Sequence, residues 1–151
     1  MKICIGGTFE ILHKGHKNLL EEAFKTAGEN GFVFIGLTKQ KIQDKKKSIR
    51  RYEDRKEELI RFLKERNWLS KSVILPISDK YGLAVDEEYD AIVVSPETYH
   101  VAVEINEKRI QKGKKPLKII KVPFVLAEDG KPISSSRIKN KEINENGELL
   151  D

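Results

Sequence analysis

The fold of this chain is decided by one stretch near its N-terminus, residues 2–16, with the sequence KICIGGTFEILHKGH. Its apolar beginning, residues 2–5, predicts a short buried strand that ends at Gly6 and Gly7. Two glycines allow the backbone to approach a ligand closely. A helix that begins after such a turn offers its unpaired N–H groups and the positive end of its dipole to phosphate. We therefore predict a phosphate-binding turn at the first strand.

Two histidines stand at the entrance of the helix that follows this turn. His13 and His16 are three residues apart, with Gly15 between them. Side chains at positions i and i+3 of a helix point to the same side, so both imidazoles can face one phosphate chain. A histidine pair can also bind a metal, but no third ligand of suitable spacing lies nearby in the sequence. The pair therefore favours phosphate chemistry over a metal site.

Outward from this stretch, apolar runs alternate with helical patterns. The runs that predict further strands are residues 32–37, 73–76, 91–95 and 118–122. The predicted helices are one after the glycine turn that Gly28 and Gly31 close, then residues 49–66 and 98–112, and a short helix that begins within residues 134–136. This alternation predicts an α/β fold with a doubly wound, Rossmann-like parallel sheet.

The helical patterns also predict which side chains face the core. The second helix is expected to bury Tyr52, Leu59, Ile60 and Leu63, and the third Val101, Ala102, Ile105 and Ile110. A single domain over residues 1–151 is expected, with a polar and loosely held tail from about residue 142.

Composition excludes several classes of protein. With 38% hydrophobic residues the chain is not of the disordered class. It contains no run of eighteen apolar residues, so the sequence predicts no membrane span. The N-terminus is strand-like and does not resemble a signal peptide. The single cysteine, Cys4, cannot form an internal disulfide, which fits a cytoplasmic protein. Abundant Lys and Glu resemble the bias of heat-adapted proteins.

The net charge of +5 is modest, but lysines cluster at residues 45–47 and again at Lys112, Lys114 and Lys115. Such clusters are either solvated surface or an attraction for a polyanion. No aromatic residues are interleaved with them, so a nucleic-acid partner is not predicted.

The stretch GGTFEILHKGH, residues 6–16, resembles the Thr-Phe-Asp…His-x-Gly-His (HxGH) signature of the nucleotidyltransferase superfamily related to class I aminoacyl-tRNA synthetases. A second segment, ISSSRI at residues 133–138, matches the Ile-Ser-Ser-Ser/Thr motif of that superfamily. Serine runs also cap helices without any ligand. The chain departs from the superfamily at Glu10, where Asp is usual.

Along most of its length the chain is most similar to the archaeal and eukaryotic type of phosphopantetheine adenylyltransferases. The similarity covers GGTFEILHKGHKNLL, the lysine-rich loop, AIVVSPET at residues 91–98, residues 105–109 and ISSSRIKN. It implies transfer of the adenylyl group from ATP to 4'-phosphopantetheine, giving dephospho-coenzyme A and pyrophosphate. It also implies Mg²⁺ bound with ATP, and no metal site made of side chains.

The resemblance implies a role for each matching residue. His16 and His13 would contact the phosphates of ATP, and Lys45 or Lys46 would bind the acceptor phosphate. The other residues expected at ATP are Gly7, Thr8, Phe9, Ser95, Pro96, Thr98, Arg109, Ser134, Ser135, Ser136 and Arg137. Arg109 forming only a helix ion pair, and Ser95 to Thr98 forming only a helix cap, are equally good interpretations. Asp79 and Tyr81, with Thr8, are expected at the acceptor.

Other functions share the first motif. The chain could adenylate FMN or transfer CMP from CTP, or it could be a nucleotide-sensing module without turnover. Cytidylyltransferases typically carry Arg-x-x-Gly-Ile-Ser-Thr-Ser, whereas residues 128–136 read EDGKPISSS. Both histidines and the late serine motif are present, which argues against loss of turnover. A monomer and a small homo-oligomer both remain open.

Overall fold

The computed structural model describes residues 1–39 and 49–150. The strands are β1 (Lys2–Gly7), β2 (Phe32–Thr38), β3 (Ser72–Ile77), β4 (Ala91–Val94) and β5 (Lys118–Lys121). The helices are α1 (Lys14–Ala27), α2 (Tyr52–Glu65), α3 (Tyr99–Gln111) and α4 (Ser135–Lys139), with a short 3-10 helix at Leu69–Lys71. The predicted order of strands and helices is confirmed, with ends shifted by a few residues.

The five strands form one parallel sheet in the order β3-β2-β1-β4-β5. The α/β, Rossmann-like fold is therefore confirmed. The chain leaves β1 toward β2 on one side and later returns to β4 on the other, so strand order reverses at β1. β1 pairs with β2 along its whole length, whereas its register with β4 comprises Ile3 opposite Ala91 and Cys4 opposite Ile92. A crevice follows between the carboxyl ends of β1 and β4.

The sheet is covered on both faces because its strands present apolar side chains to both. In β1, Ile3 and Ile5 belong to the core beneath α1 and α2, whereas Cys4 belongs to the core beneath α3. Trp68 packs on the first core by stacking on Phe24, with ring centroids 4.5 Å apart. Among the described residues, no helix has the length and apolar character needed to cross a membrane.

Three expectations about the core and the tail need correction. Ile110 is 59% exposed, because it lies on the outer side of α3. In α2, Phe62 is buried while Ile60 is only half-buried. The segment after Lys141 is not loosely held, because Ile143 is fully buried against Ala127 and Ile133.

Candidate active site

The helix α1 is capped by its own histidines. His13 is the residue before the first turn, in an extended conformation, and its Nδ1 accepts hydrogen bonds from the amides of Gly15 (3.0 Å) and His16 (3.4 Å). In return, the Nδ1 of His16 accepts from the His13 amide at 3.4 Å. Imidazole nitrogens thus do what Ser and Glu oxygens do in an ordinary capping box. The arrangement fixes both rings at the mouth of the crevice.

The two imidazoles are stacked and uncharged. Their centroids are 3.8 Å apart with an interplanar angle of 20°. Burial, with a smaller effect of the neighbouring His16, lowers the pKa of His13 to about 3. Burial also lowers the pKa of His16 to about 4, although the Ile11 backbone and the Glu58 carboxylate act in the opposite direction. Because each Nδ1 accepts a hydrogen bond, each neutral ring carries its proton on Nε2.

Phe9 explains why Gly7 is a glycine. Phe9 has a left-handed backbone with φ of 48°, and its ring is buried beside His16, with centroids 5.0 Å apart. A Cβ on Gly7 would approach the Phe9 ring to 3.1 Å. A non-glycine residue in this conformation costs about 1–3 kcal/mol, and such strain is concentrated at functional sites.

Glu10 supports the turn from below. Its carboxylate is buried, and both oxygens accept from the backbone amide of Arg50 at 3.0 Å. The carboxylate also lies 3.6 Å from the Nζ of Lys139. Glu10 therefore links the β1 turn to the Arg50 backbone and to the Lys139 side chain. Glu in place of the usual Asp thus affects how the turn is supported.

The late serine motif meets the first motif in space. Ser134 caps α4 by accepting from the Arg137 amide at 3.2 Å. The Ser135 hydroxyl lies 3.3 Å from the amide and 3.5 Å from the carbonyl of Ile11, which is 124 residues away in sequence. The two segments therefore form one wall of the crevice.

This crevice holds a cleft of about 640 Å³. The predicted ATP residues that line it are Gly7, Thr8, Phe9, His13, His16, Ser95, Thr98, Ser134, Ser135 and Ser136. The structure thus brings residues from both ends of the chain around one space. Pro96 does not line it, although Ser95 and Glu97 do.

A second cavity of about 280 Å³ lies on the other side of the β1 turn. Its walls are mostly apolar side chains, including Phe34, Leu75, Ile77, Leu83, Tyr89 and Val101. Asp79 and Tyr81 line it, as does Thr8. The Asp79 carboxylate holds this wall by accepting from the amides of Tyr81 (2.9 Å) and Gly82 (2.8 Å).

The two spaces share a border. Residues that line both are Ile5, Gly6, Gly7, Thr8, Val93, Val94 and Thr98. A ligand in each would therefore meet the other at the β1 turn, which is where parallel α/β sheets bind ligands.

Two predicted arginines do not point into either space. The fully buried Arg109 guanidinium donates to the carbonyls of Ala84, Val85, Glu87 and Lys115, at 2.7–3.4 Å. Arg137 pairs with Asp129 and lies 3.5 Å from a carboxylate oxygen of Glu142. Neither arginine lines the cleft or the smaller cavity, and both are bound to groups of the protein. Lys45 and Lys46 lie outside the described residues.

Sequence reasoning missed one part of the cleft. Residues 123–125, Lys139 and Asn140 also line it. The only signal was their closeness in sequence to β5 and to the serine motif. Among the described residues, no group of three or more His, Cys, Asp or Glu side chains could hold a metal ion.

Comparison with known proteins identifies relatives. A family model described as cytidylyltransferase-like matches residues 4–141. A phosphopantetheine adenylyltransferase of Methanosarcina acetivorans is 47% identical over 149 residues, covering 98% of this chain and 95% of the relative. One from Archaeoglobus fulgidus is 40% identical over 151 residues, covering 99% of this chain and 100% of the relative.

Solved structures are similar too. A protein of unknown function from Archaeoglobus fulgidus superposes with a TM-score of 0.71 at 37% identity, covering 81% of this chain and 89% of that one. A nicotinic acid mononucleotide adenylyltransferase of Plasmodium falciparum, complexed with APC, gives a TM-score of 0.57 at 14% identity, covering 96% and 85%. The second similarity concerns the fold alone.

Proposed function

The chain belongs to the phosphopantetheine adenylyltransferase family, and we propose that it transfers the adenylyl group of ATP to 4'-phosphopantetheine. The products are dephospho-coenzyme A and pyrophosphate. The observation that carries this proposal is the pair of spaces that share residues 5–8 of the β1 turn. Two substrates that must react through their phosphates need adjoining sites of this kind.

ATP is proposed to occupy the larger cleft. Ser134, Ser135 and Ser136 line the side where the β- and γ-phosphates would lie. The backbone at Gly7 and Thr8 borders the reacting α-phosphate. Residues 123–125 include the partly exposed Phe124, and they offer an apolar surface to the adenine ring.

The acceptor is proposed to occupy the smaller cavity. The arm of 4'-phosphopantetheine is uncharged, and the walls of this cavity are mostly apolar. Its phosphate would then point toward Thr8, which lines both spaces. A lysine of the pair Lys45 and Lys46 is proposed to bind that phosphate, on the family resemblance alone.

The reaction needs positioning more than acid–base chemistry. An oxygen of the acceptor phosphate forms a bond to the α-phosphorus of ATP, and the bond from that phosphorus to the bridging oxygen breaks. The electron pair leaves with pyrophosphate. The attacking phosphate is already ionised at neutral pH, so no general base is required. Alignment and charge stabilisation supply the catalysis.

His16 and His13 are proposed to donate Nε2–H hydrogen bonds to ATP phosphates. A neutral imidazole is suited to this because it can donate without an energetic cost of burying a cation. Phosphate charge beside the rings would raise their low pKa values, and so favour a stronger, charge-assisted bond as negative charge develops.

Mg²⁺ is proposed to enter with ATP, held by the phosphates and water, because the described residues offer no carboxylate cluster. When bound, it would neutralise charge on the leaving pyrophosphate.

The test is pyrophosphate release by the purified chain with ATP and Mg²⁺. The acceptors to compare are 4'-phosphopantetheine, unphosphorylated pantetheine and FMN, with CTP plus glycerol phosphate as a fourth reaction. Release only with ATP and 4'-phosphopantetheine, together with dephospho-coenzyme A by mass spectrometry, is the expected result. Release with another pair would move the chain to a different reaction of the superfamily. Binding of ATP without release in any reaction would favour a nucleotide-sensing module.

A further inference from the structure

The loop between β1 and α1, where the reaction is proposed to take place, is bound on one side by residues of α2 and by Arg50, which precedes α2. Three alternate residues of the loop are each bound: the Thr8 carbonyl by Arg55 Nη1 (2.8 Å), the Glu10 carbonyl by the Arg50 guanidinium, and the Leu12 amide by a Glu58 carboxylate oxygen (3.3 Å). The loop between β1 and α1 is therefore anchored at regular intervals.

Arg55 is the buried centre of this arrangement. It is 1% exposed, and its guanidinium donates to three carbonyls: Thr8 (2.8 Å), Arg50 (2.9 Å) and Lys39 (3.2 Å). Lys39 and Arg50 flank residues 40–49, the part of the sequence that includes Lys45 and Lys46. One planar group thus links the reacting turn to both flanks of the segment expected at the acceptor phosphate.

The charge of Arg55 is balanced through the same loop. Burial lowers the pKa of the Arg55 guanidinium, and the Glu10 carboxylate opposes this effect while the nearby Arg50 adds to it. Glu10 itself is fixed by the Arg50 amide. Arg55 lines neither of the two spaces, so it does not meet a ligand placed in them.

We propose that Arg55 is a positioning residue for adenylyl transfer, which fixes the Thr8 backbone relative to the Lys39 and Arg50 backbone so that the β1 turn holds the two substrate phosphates in line. This role rests on the proposed function. It is a consequence of geometry, since a displacement of about 1 Å at reacting atoms can cost about 100-fold in rate. A lysine cannot replace the fork, because a single ammonium cannot span three separated carbonyls.

The first test is Arg55→Lys, assayed for kcat and for KM of both substrates. We expect kcat to fall about 10- to 100-fold, with the KM for ATP changing less than about threefold. Arg109→Lys is the matched control for stability, because Arg109 is equally buried and also donates only to described backbone carbonyls. A kcat for Arg55→Lys that falls no further than that of Arg109→Lys, at matched thermal midpoints, would overturn the role.

A second variant covers the case in which Arg55→Lys does not fold. Glu58→Ala removes a half-buried carboxylate that binds both the Leu12 amide and the Arg50 guanidinium. Its matched control is Glu57→Ala, an exposed neighbour whose described ion pair is with Arg61. We expect a several-fold lower kcat for Glu58→Ala and an unchanged kcat for Glu57→Ala. Equal activity in both would contradict an anchored loop.

A readout without catalysis separates this role from the proposed function. The chain has three histidines, so His13 and His16 can be followed by proton NMR beside His100. If Arg55 fixes the loop, Arg55→Lys raises the pKa values of His13 and His16 by about one unit, as burial is relaxed, while Arg109→Lys leaves them unchanged. Unchanged values in Arg55→Lys overturn the positioning role. A wild-type chain that releases no pyrophosphate overturns the proposed function and with it the catalytic part of the role, and the titration then decides only whether Arg55 fixes the loop.

Discussion

His13 and His16 work as a pair because each ring serves two purposes with different nitrogens. The Nδ1 atoms cap α1, and the proton of each neutral ring therefore lies on Nε2, the atom proposed to donate to ATP. Burial keeps both rings neutral at physiological pH. The neutral rings therefore offer little electrostatic attraction to phosphate before ATP binds. We expect phosphate charge beside the rings to raise their pKa values and to strengthen their hydrogen bonds.

The first prediction concerns His16. Replacing His16 by Ala should lower kcat about 100- to 1,000-fold, as expected when a donor to a developing charge is removed. The affinity for ATP should fall much less, because the contact strengthens in the transition state. Steady-state kinetics and calorimetric titration with ATP measure the two effects. His100→Ala is the control, because His100 is exposed on α3 and lines neither space. An unchanged kcat with a higher KM would contradict this role.

The second prediction concerns stability and pH. Both folded-state pKa values lie below the ordinary 6.5, so the unfolded chain binds more protons than the folded chain between pH 6.5 and about 4. Stability present above pH 6.5 is therefore lost as the pH falls through this window, by about 1.4 kcal/mol for each unit of lowered pKa. The thermal midpoint, measured from pH 7 to pH 4, should decrease.

His13→Asn tests the source of that loss. Asn is a good capping residue, so α1 keeps its N-terminal hydrogen bonds while one titrating group is removed. The thermal midpoint of this variant should decrease less steeply below pH 6.5 than that of the wild type. Parallel curves would mean that other groups cause the acid sensitivity.

At the scale of an element, α4 shows how a short helix is fixed by charge outside the cleft. Arg137 is bound by Asp129 and also donates to the Pro132 carbonyl at 3.1 Å, so its guanidinium holds the turn before α4. Its hydrogen bonds keep the Asp129 pKa below its usual value. The three serines of the motif line the cleft, whereas Arg137 does not.

The third prediction separates a structural role of Arg137 from a direct contact between Arg137 and phosphate. If Arg137 acts through Asp129, then Arg137→Ala and Asp129→Asn should weaken ATP binding by similar, small factors and lower the thermal midpoint together. Thermal melts and calorimetric titrations of both variants measure this. A much larger loss of ATP affinity in Arg137→Ala than in Asp129→Asn would restore a direct phosphate contact.

The same element shows which features could be predicted from the sequence. Periodicity and glycine turns predict the strands and helices, and the two motifs predict which loops meet in the cleft, because these features are local. The direction of a long charged side chain is not local. Arg109 and Arg137 lie in segments that match the family motifs. Their guanidinium groups nevertheless bind the carbonyls and carboxylates that folding brings close. Arg55 gave no signal at all, since a charged residue in a helix usually lies at the surface.

At the scale of the whole molecule, the C-terminal segment joins the start of α1 to the turn before the serine motif. The Glu145 carbonyl accepts from the amide of Lys14, in the first turn of α1, at 3.0 Å, and the Gly147 carbonyl accepts from the Glu128 amide at 2.9 Å. The sequence there is polar and predicted a loose tail. Of its apolar side chains, Leu149 and Leu150 are exposed, whereas Ile143 is buried against the turn around residues 127–133. A burial site made by two distant segments leaves no periodic pattern in either.

The final prediction follows from that closure. Ile143→Ala should lower the free energy of unfolding by about 2–4 kcal/mol, because Ile143 is fully buried and its removal leaves a cavity. ATP affinity should fall as well, since this segment joins the start of α1 to the turn before the serine motif. Ile110→Ala removes the same atoms from a position that is 59% exposed, so it should change stability and affinity little. Urea unfolding and calorimetric titration with ATP measure both quantities. Equal stability of the two variants would mean that the tail is loose in solution, whereas a loss of stability without a loss of ATP affinity would mean that the tail stabilises the fold but does not hold the cleft.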